Sequence, residues 1–225
     1  MEEYEEKGIP VYPTLIASCA ATIAALLIAG GLGTPWLWFV AGLIAMLFAI
    51  GSLVVRSMHR EVMSRRWGLD ILRGWDKTLL IPPLVLYPAS AALGAADLTR
   101  GLWSMMPSWT LIVGFVLLAT GYVLVIQALQ ADAPHAPQHY GEQPRPDADK
   151  GAYDILRHPI ALGAILLGLS LPFLLHSAVA LIPAGLQTIL LVAYVSREDN
   201  WRFHEYEWYY EYTRKTPYRL IPLIW

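Results

Sequence analysis

Two short stretches carry the side chains best suited to chemistry. The first, AYDILRHPIALG at residues 152–163, sets Arg157, His158 and Pro159 at the threshold of a long uncharged run. The second, SREDNW at 196–201, places Arg197, Glu198 and Asp199 at its far end. Arginine holds carboxylates and phosphates through a planar fork of donors, histidine exchanges protons near neutrality, and a carboxylate pairs with an ammonium. These types together suit a ligand that carries both charges. Consecutive helical residues point about 100° apart, so at most one of Glu198 and Asp199 is expected to face such a ligand. The plainer explanation for either is a helical ion pair with Arg202, four and three residues further on. Pro159 suits a first helical position, where its missing N–H would have been unpaired anyway. The N–H groups exposed at that helix start are a second place for an anion.

The elements that must position these residues are membrane helices. Of 225 residues, 56% are apolar and only 15% are charged, whereas soluble domains carry about a quarter charged. Four uncharged stretches, at approximately 13–33, 35–55, 78–96 and 109–131, are each long enough to cross a hydrocarbon core of about 30 Å. A fifth, from Pro159 to Ser196, is nearly twice that length and is interrupted by Pro172, His176 and Pro183. Two short spans joined near His176 account for it. The expected fold is therefore all-α and polytopic, with about six transmembrane helices and a C-terminal amphipathic helix. Residues 1–131 are expected to form the N-terminal membrane helices with a basic loop, and residues 132–225 a second half of loop, helical hairpin and C-terminal helix that carries the candidate site.

Lys and Arg collect in cytoplasmic loops, which fixes the expected sidedness. Of the 16 Lys and Arg residues only Arg100 falls outside the loops and termini assigned to the cytoplasm, and the segment 56–77 alone carries six. Both chain ends are thus expected in the cytoplasm. The external connections are short and leave little room for chemistry. The acidic start, MEEYEEKG, lacks the basic flank of a secretory signal, and the N-terminus reads as unprocessed.

The same composition excludes several function classes. A net charge of −2 gives no basic field for nucleic acid. Cys19 is the single cysteine and reads as a small hydrophobe. None of the first four spans holds a charged residue, which argues against an ion-coupled carrier, and no inverted repeat is visible. Pro82, Pro83 and Pro88 are expected to kink or loosen the third span, for packing against its neighbours rather than as a gate. His135 and His139 have a helical metal spacing, but Pro137 between them disfavours a regular helix, so no metal site is expected. The tail SREDNWRFHEYEWYYEYTRK is too polar to span, and its Trp and Tyr content fits a helix at the headgroup level.

GAYDILRHPIALG, the apolar hairpin, REDNW, YYEY and the ending PYRLIPLIW, in that order over residues 151–225, resemble the isoprenylcysteine carboxyl methyltransferase-like and phospholipid methyltransferase family of integral membrane enzymes. RGWDK at 73–77 and VIQ at 125–127 are similar to elements of its bacterial members. Ala161 stands where the family has a tyrosine, Ala152 where it has proline, and Asp154 where a basic residue is common.

The resemblance implies an S-adenosylmethionine-dependent methyltransferase acting in the membrane on a lipophilic or small acceptor. It implies catalytic roles for His158, Arg157 and Glu198, and donor binding by Gln127, Tyr153, His158, Pro159, Leu162, Gly163, Glu198 and Asp199. The residue chemistry is compatible: the donor's ammonium needs an acid, Glu198 or Asp199, and its carboxylate needs Arg157 or helix-start N–H groups. His158 is the nearest base for an acceptor that must lose a proton; hydrogen-bonding the donor or fixing the fold is its other reading. Gly163 leaves room for a cofactor or for a neighbouring helix. Two other functions fit the same architecture, a reductase using NADPH and a non-catalytic scaffold for which Ala161 is the argument.

Overall fold

The computed structural model describes residues 8–58, 66–68, 74–101, 103–132 and 151–225. His135, His139 and Arg73 lie outside them. The framework is helical: α1 Val11–Gly30, α2 Pro35–Met58, α3 Gly74–Ala96, α4 Thr110–Asp132, α5 Pro159–Leu174, α6 Leu181–Glu205 and α7 Glu207–Lys215. A three-residue antiparallel ladder pairs Gly8–Pro10 with Arg66–Gly68. Four helical segments, Pro13–Gly30, Pro35–Val54, Thr78–Gly101 and Thr110–Ala131, are long and apolar enough to cross a membrane. They turn Ile28, Leu53, Val85 and Ile112 outward, an apolar surface that lipid covers without penalty.

Helix α1 packs along α3, α3 along α6, and α4 along α5, so the helices of residues 1–131 and 132–225 interleave. A core of Leu26, Leu37, Val40, Ala41, Ala91, Ala95, Leu171 and Leu175 joins α1, α2, α3 and the end of α5. A second, of Ile165, Leu191, Val195 and Leu220, ties α5 and α6 to the C-terminal segment. Between α4 and α5 the contact is backbone on backbone: a Cβ on Gly121 would lie 2.8 Å from the Gly163 oxygen, and one on Gly163 would lie 2.5 Å from Val125 Cγ2. Small residues allow this approach, which is how helices associate where lipid offers no hydrophobic drive.

The long uncharged run from Pro159 divides as the prolines require. Helix α6 carries Pro183 in its first turn, where a missing N–H breaks no internal bond, and Pro172 forgoes one inside the last turn of α5. His176 between them adopts φ 53°. At 16 residues, α5 is about 24 Å long, shorter than the four spans. Helix α6 does not stop at Ser196: it runs unbroken to Glu205 and ends only at the extended Tyr206. The stretch SREDNWRFHE contains no Gly or Pro and holds an i,i+4 ion pair, so nothing terminates the helix there. Helix α3 also continues through Pro82, Pro83 and Pro88 to Ala96 and passes into a π-helical turn, Asp97–Gly101.

Candidate functional site

Three segments remote in sequence converge on Asp199. A 3-10 turn, Gly151–Asp154, starts at Gly151 with φ 65° and buries Ala152 and Tyr153. The carbonyl of Tyr153 accepts the hydroxyls of Tyr212 and Thr216, each at 3.2 Å, which fastens the turn to α7 and the chain beyond it. The next residues lie alongside the C-terminal segment: Arg157 N donates to Tyr218 O at 2.9 Å and His158 N to Arg219 O at 3.1 Å. Arg157 and Arg219 are thereby held side by side. Pro159 then opens α5 as its first residue, and the carbonyl of His158 accepts Leu162 N at 3.2 Å.

Asp199 sits on the inner side of α6 and is only 2% exposed. Arg157 Nη1 donates to both of its oxygens at 2.8 Å, Arg219 Nε donates to Oδ2 at 2.8 Å, and the Tyr209 hydroxyl donates to Oδ1 at 2.7 Å. His158 Nε2 lies at 3.4 Å from Oδ1, a long contact. Arg157 Nη2 continues to the carbonyl of Pro217 at 2.9 Å, and its buried Nε has no hydrogen-bond partner among the described residues. Glu198 turns the other way and accepts Arg202 Nε at 2.7 Å, the i,i+4 pair that its spacing allows. Asp199 is thus paired with Arg157 and Arg219, and Glu198 with Arg202.

The electrostatics follow from this enclosure. Burial pushes the Asp199 carboxyl up, but hydrogen bonds from His158 and Tyr209 and the charge of Arg157 outweigh it and hold the group well below the usual carboxylate range. Burial pulls His158 down despite its contact with Asp199, so the imidazole is neutral at neutral pH. Burial and the neighbouring Asp199 charge push the Tyr209 phenol up, which keeps it a hydrogen-bond donor. Two guanidinium groups, one carboxylate and a neutral imidazole leave an excess of positive charge. A cleft of about 420 Å³ opens beside it, lined by Arg157, Pro217, Tyr218, Arg219, Leu223, Ile224 and Trp225. The Arg219 guanidinium also sits 5.3 Å from the centre of the Trp225 ring, a cation–π distance.

Arg157, His158 and Asp199 are thus brought to one place, with Tyr153 anchored behind them through its carbonyl, while Glu198 is turned to Arg202. Both carboxylates are buried, and they diverge as the 100° step of the helix requires. Leu162 packs with Ile165, Leu191, Val195 and Leu220, and Gly163 admits the backbone of α4. Of the two occupants its size allowed, the neighbouring helix is there. Gln127 is exposed on α4. Tyr209 and Arg219 complete the cluster; they lie within YYEY and PYRLIPLIW, but a phenol and a guanidinium 10 and 20 residues from Asp199 have no helical spacing that marks them as partners. No protein-family model and no curated protein matches the chain.

Proposed function

We propose that this chain is an integral membrane methyltransferase that uses S-adenosylmethionine on a lipophilic or small acceptor. The observation that supports this reading best is the meeting of Arg157 and His158 with Asp199 and Arg219 beside an aromatic-lined cleft, in the region whose motifs resemble membrane methyltransferases. The cleft residues fit one end of the donor. Arg157 and Arg219 suit its carboxylate, and Trp225 and Tyr218 suit its flat base. Among the described residues, no side chain lining the cleft meets its ammonium, because Glu198 and Asp199 both face arginines.

When bound, S-adenosylmethionine supplies an electrophilic methyl group. The residues of the chain have the tasks of holding the carboxylate end, excluding water and aligning the acceptor in line. Asp199 keeps both guanidinium groups in place, and neutral His158 is the group able to accept a proton from an amine or thiol acceptor.

In the full arrangement α5 and the apolar part of α6 form two shorter spans, making six, with Ile182 and Ile189 facing lipid; both are strongly exposed. Both termini lie on the cytoplasmic side by the distribution of Lys and Arg, and α7 rests at that interface. A second reading, the non-catalytic scaffold, is favoured by one observation: both carboxylates are already neutralised within the chain. Mass spectrometry of small molecules released from purified protein separates these functions. The methyl donor or its demethylated product is expected; NADPH would favour the reductase, and failure to retain or bind either would favour the scaffold.

A further inference from the structure

The opposite end of the bundle holds a second cleft, of about 470 Å³, lined by Thr34, Trp36, Leu98, Thr99, Leu111 and His176. Helix α6 separates it from Asp199: 18 residues from Leu181 to Asp199 rise about 27 Å. The external connections looked too short for chemistry, yet three of them meet here. Their walls are fixed. Trp36 Nε1 donates to Leu174 O at 2.8 Å, and its ring stacks on Phe39 with centroids 5.1 Å apart. Leu98 and Thr99 belong to the π-helical turn, a rare conformation that recurs at functional sites. That turn is braced by Asp97, which is fully buried and accepts the hydroxyls of Ser104 and Ser177 and the N–H groups of Trp103 and Ser104. The Asp97 brace joins the turn to the α5–α6 loop.

His176 is the unusual member. Its backbone is pinned on both sides, with N donating to Phe173 O at 3.2 Å and O accepting Met106 N at 2.8 Å. Its φ of 53° is a left-handed conformation that costs a non-glycine residue of order 1 kcal/mol. The imidazole so presented to the cleft makes no hydrogen bond among the described residues. No charged side chain among those residues lines the cleft, so a phosphate or an ammonium headgroup would be desolvated there without a counter-charge. What the lining offers is an indole wall, two leucines, two hydroxyls and one imidazole. The exposed Trp38, Trp103 and Trp109 lie at this same end, where such rings mark the membrane–water boundary.

From this geometry we propose that the cleft binds an uncharged, membrane-partitioning ring compound bearing carbonyl oxygens, with His176 as its hydrogen-bonding anchor and Trp36 as its stacking wall. The site is independent of the Asp199 cluster.

The test uses the full chain in detergent, with a short-chain 1,4-benzoquinone as probe and calorimetric titration as readout. His176→Gly is the decisive variant, because glycine adopts φ 53° without strain; the protein should fold at least as well while losing the imidazole. Affinity should fall roughly three- to tenfold, the worth of one hydrogen bond. His176→Asn, which tolerates the same backbone and keeps a donor, should retain part of it, and Glu211→Gln, exposed on α7 at the far end, should bind as the wild type does. No binding by the wild-type protein, equal affinity in His176→Gly, or binding of an anionic phospholipid in preference to the benzoquinone would each overturn the proposal.

Discussion

Asp199 carries most of the electrostatic weight at the residue scale. Replacing it by Asn leaves the guanidinium of Arg157, whose side chain is 10% exposed, buried without a counter-charge; that should destabilise the protein by about 3–5 kcal/mol. Glu198→Gln removes the charge that faces Arg202, whose side chain at 24% exposed keeps access to water, and should cost less, about 1–2 kcal/mol. Thermal unfolding of the two variants in detergent measures the contrast, and equal losses would mean that Asp199 is not the keystone. The pH dependence has the same origin. The folded-state pKa of Asp199 is depressed, so its contribution is fully present above its unfolded value of about 3.9 and is lost as pH falls below that. His158 is also depressed, so below its unfolded value of about 6.5 the unfolded chain binds more protons and stability falls with pH. His158→Gln should flatten the slope just below pH 6.5 and leave the acid limb in place, as unfolding midpoints across pH would record. Arg157, His158 and the carboxylate pair were legible as chemistry because charged residues at the edge of an apolar run stand out. Their pairing was not, since a contact between Arg157 and Asp199 spans 42 residues and no local spacing encodes it.

Packing between elements was legible only where composition constrains it. The start of α5 at Pro159 and its break before α6 follow from proline chemistry, and both were visible in the sequence. The continuation of α6 to Glu205 was not, because the change from apolar to charged residues at Ser196 marks where lipid could end, not where hydrogen bonding must. Gly163 illustrates the same limit: its smallness shows that something approaches closely, but only the fold identifies the α4 backbone at Gly121 and Val125 as the neighbour. Gly163→Val forces these helices apart and should cost about 1–3 kcal/mol. Denaturant titration of the purified variant checks this, and unchanged stability would show that α4 and α5 have slack at their crossing.

For the whole molecule, the all-helical architecture and the four long spans were readable from hydropathy alone, since about 20 uncharged residues have few other uses. The clefts were not readable, because each is assembled from loops that are distant in sequence. The proposed crossing of the membrane by α5 and α6 makes a sharp prediction. In a chain with Cys19 replaced by Ala, single cysteines at Ala178 and Arg100, both exposed, should react with an impermeant maleimide from outside intact cells. A cysteine at Arg214 should react only after permeabilisation. Labelling of Ala178→Cys only after permeabilisation would mean that α5 and α6 do not cross.

The proposed methyl transfer rests on donor binding beside Arg157 and Arg219. Calorimetric titration of the purified chain with S-adenosylmethionine and its demethylated product tests it most directly. Saturable binding is predicted, weakened about tenfold or more in Arg219→Ala, which removes a charge-assisted contact worth about 1.5–3 kcal/mol. Absence of binding by folded wild-type protein, or equal affinity in the variant, would contradict it.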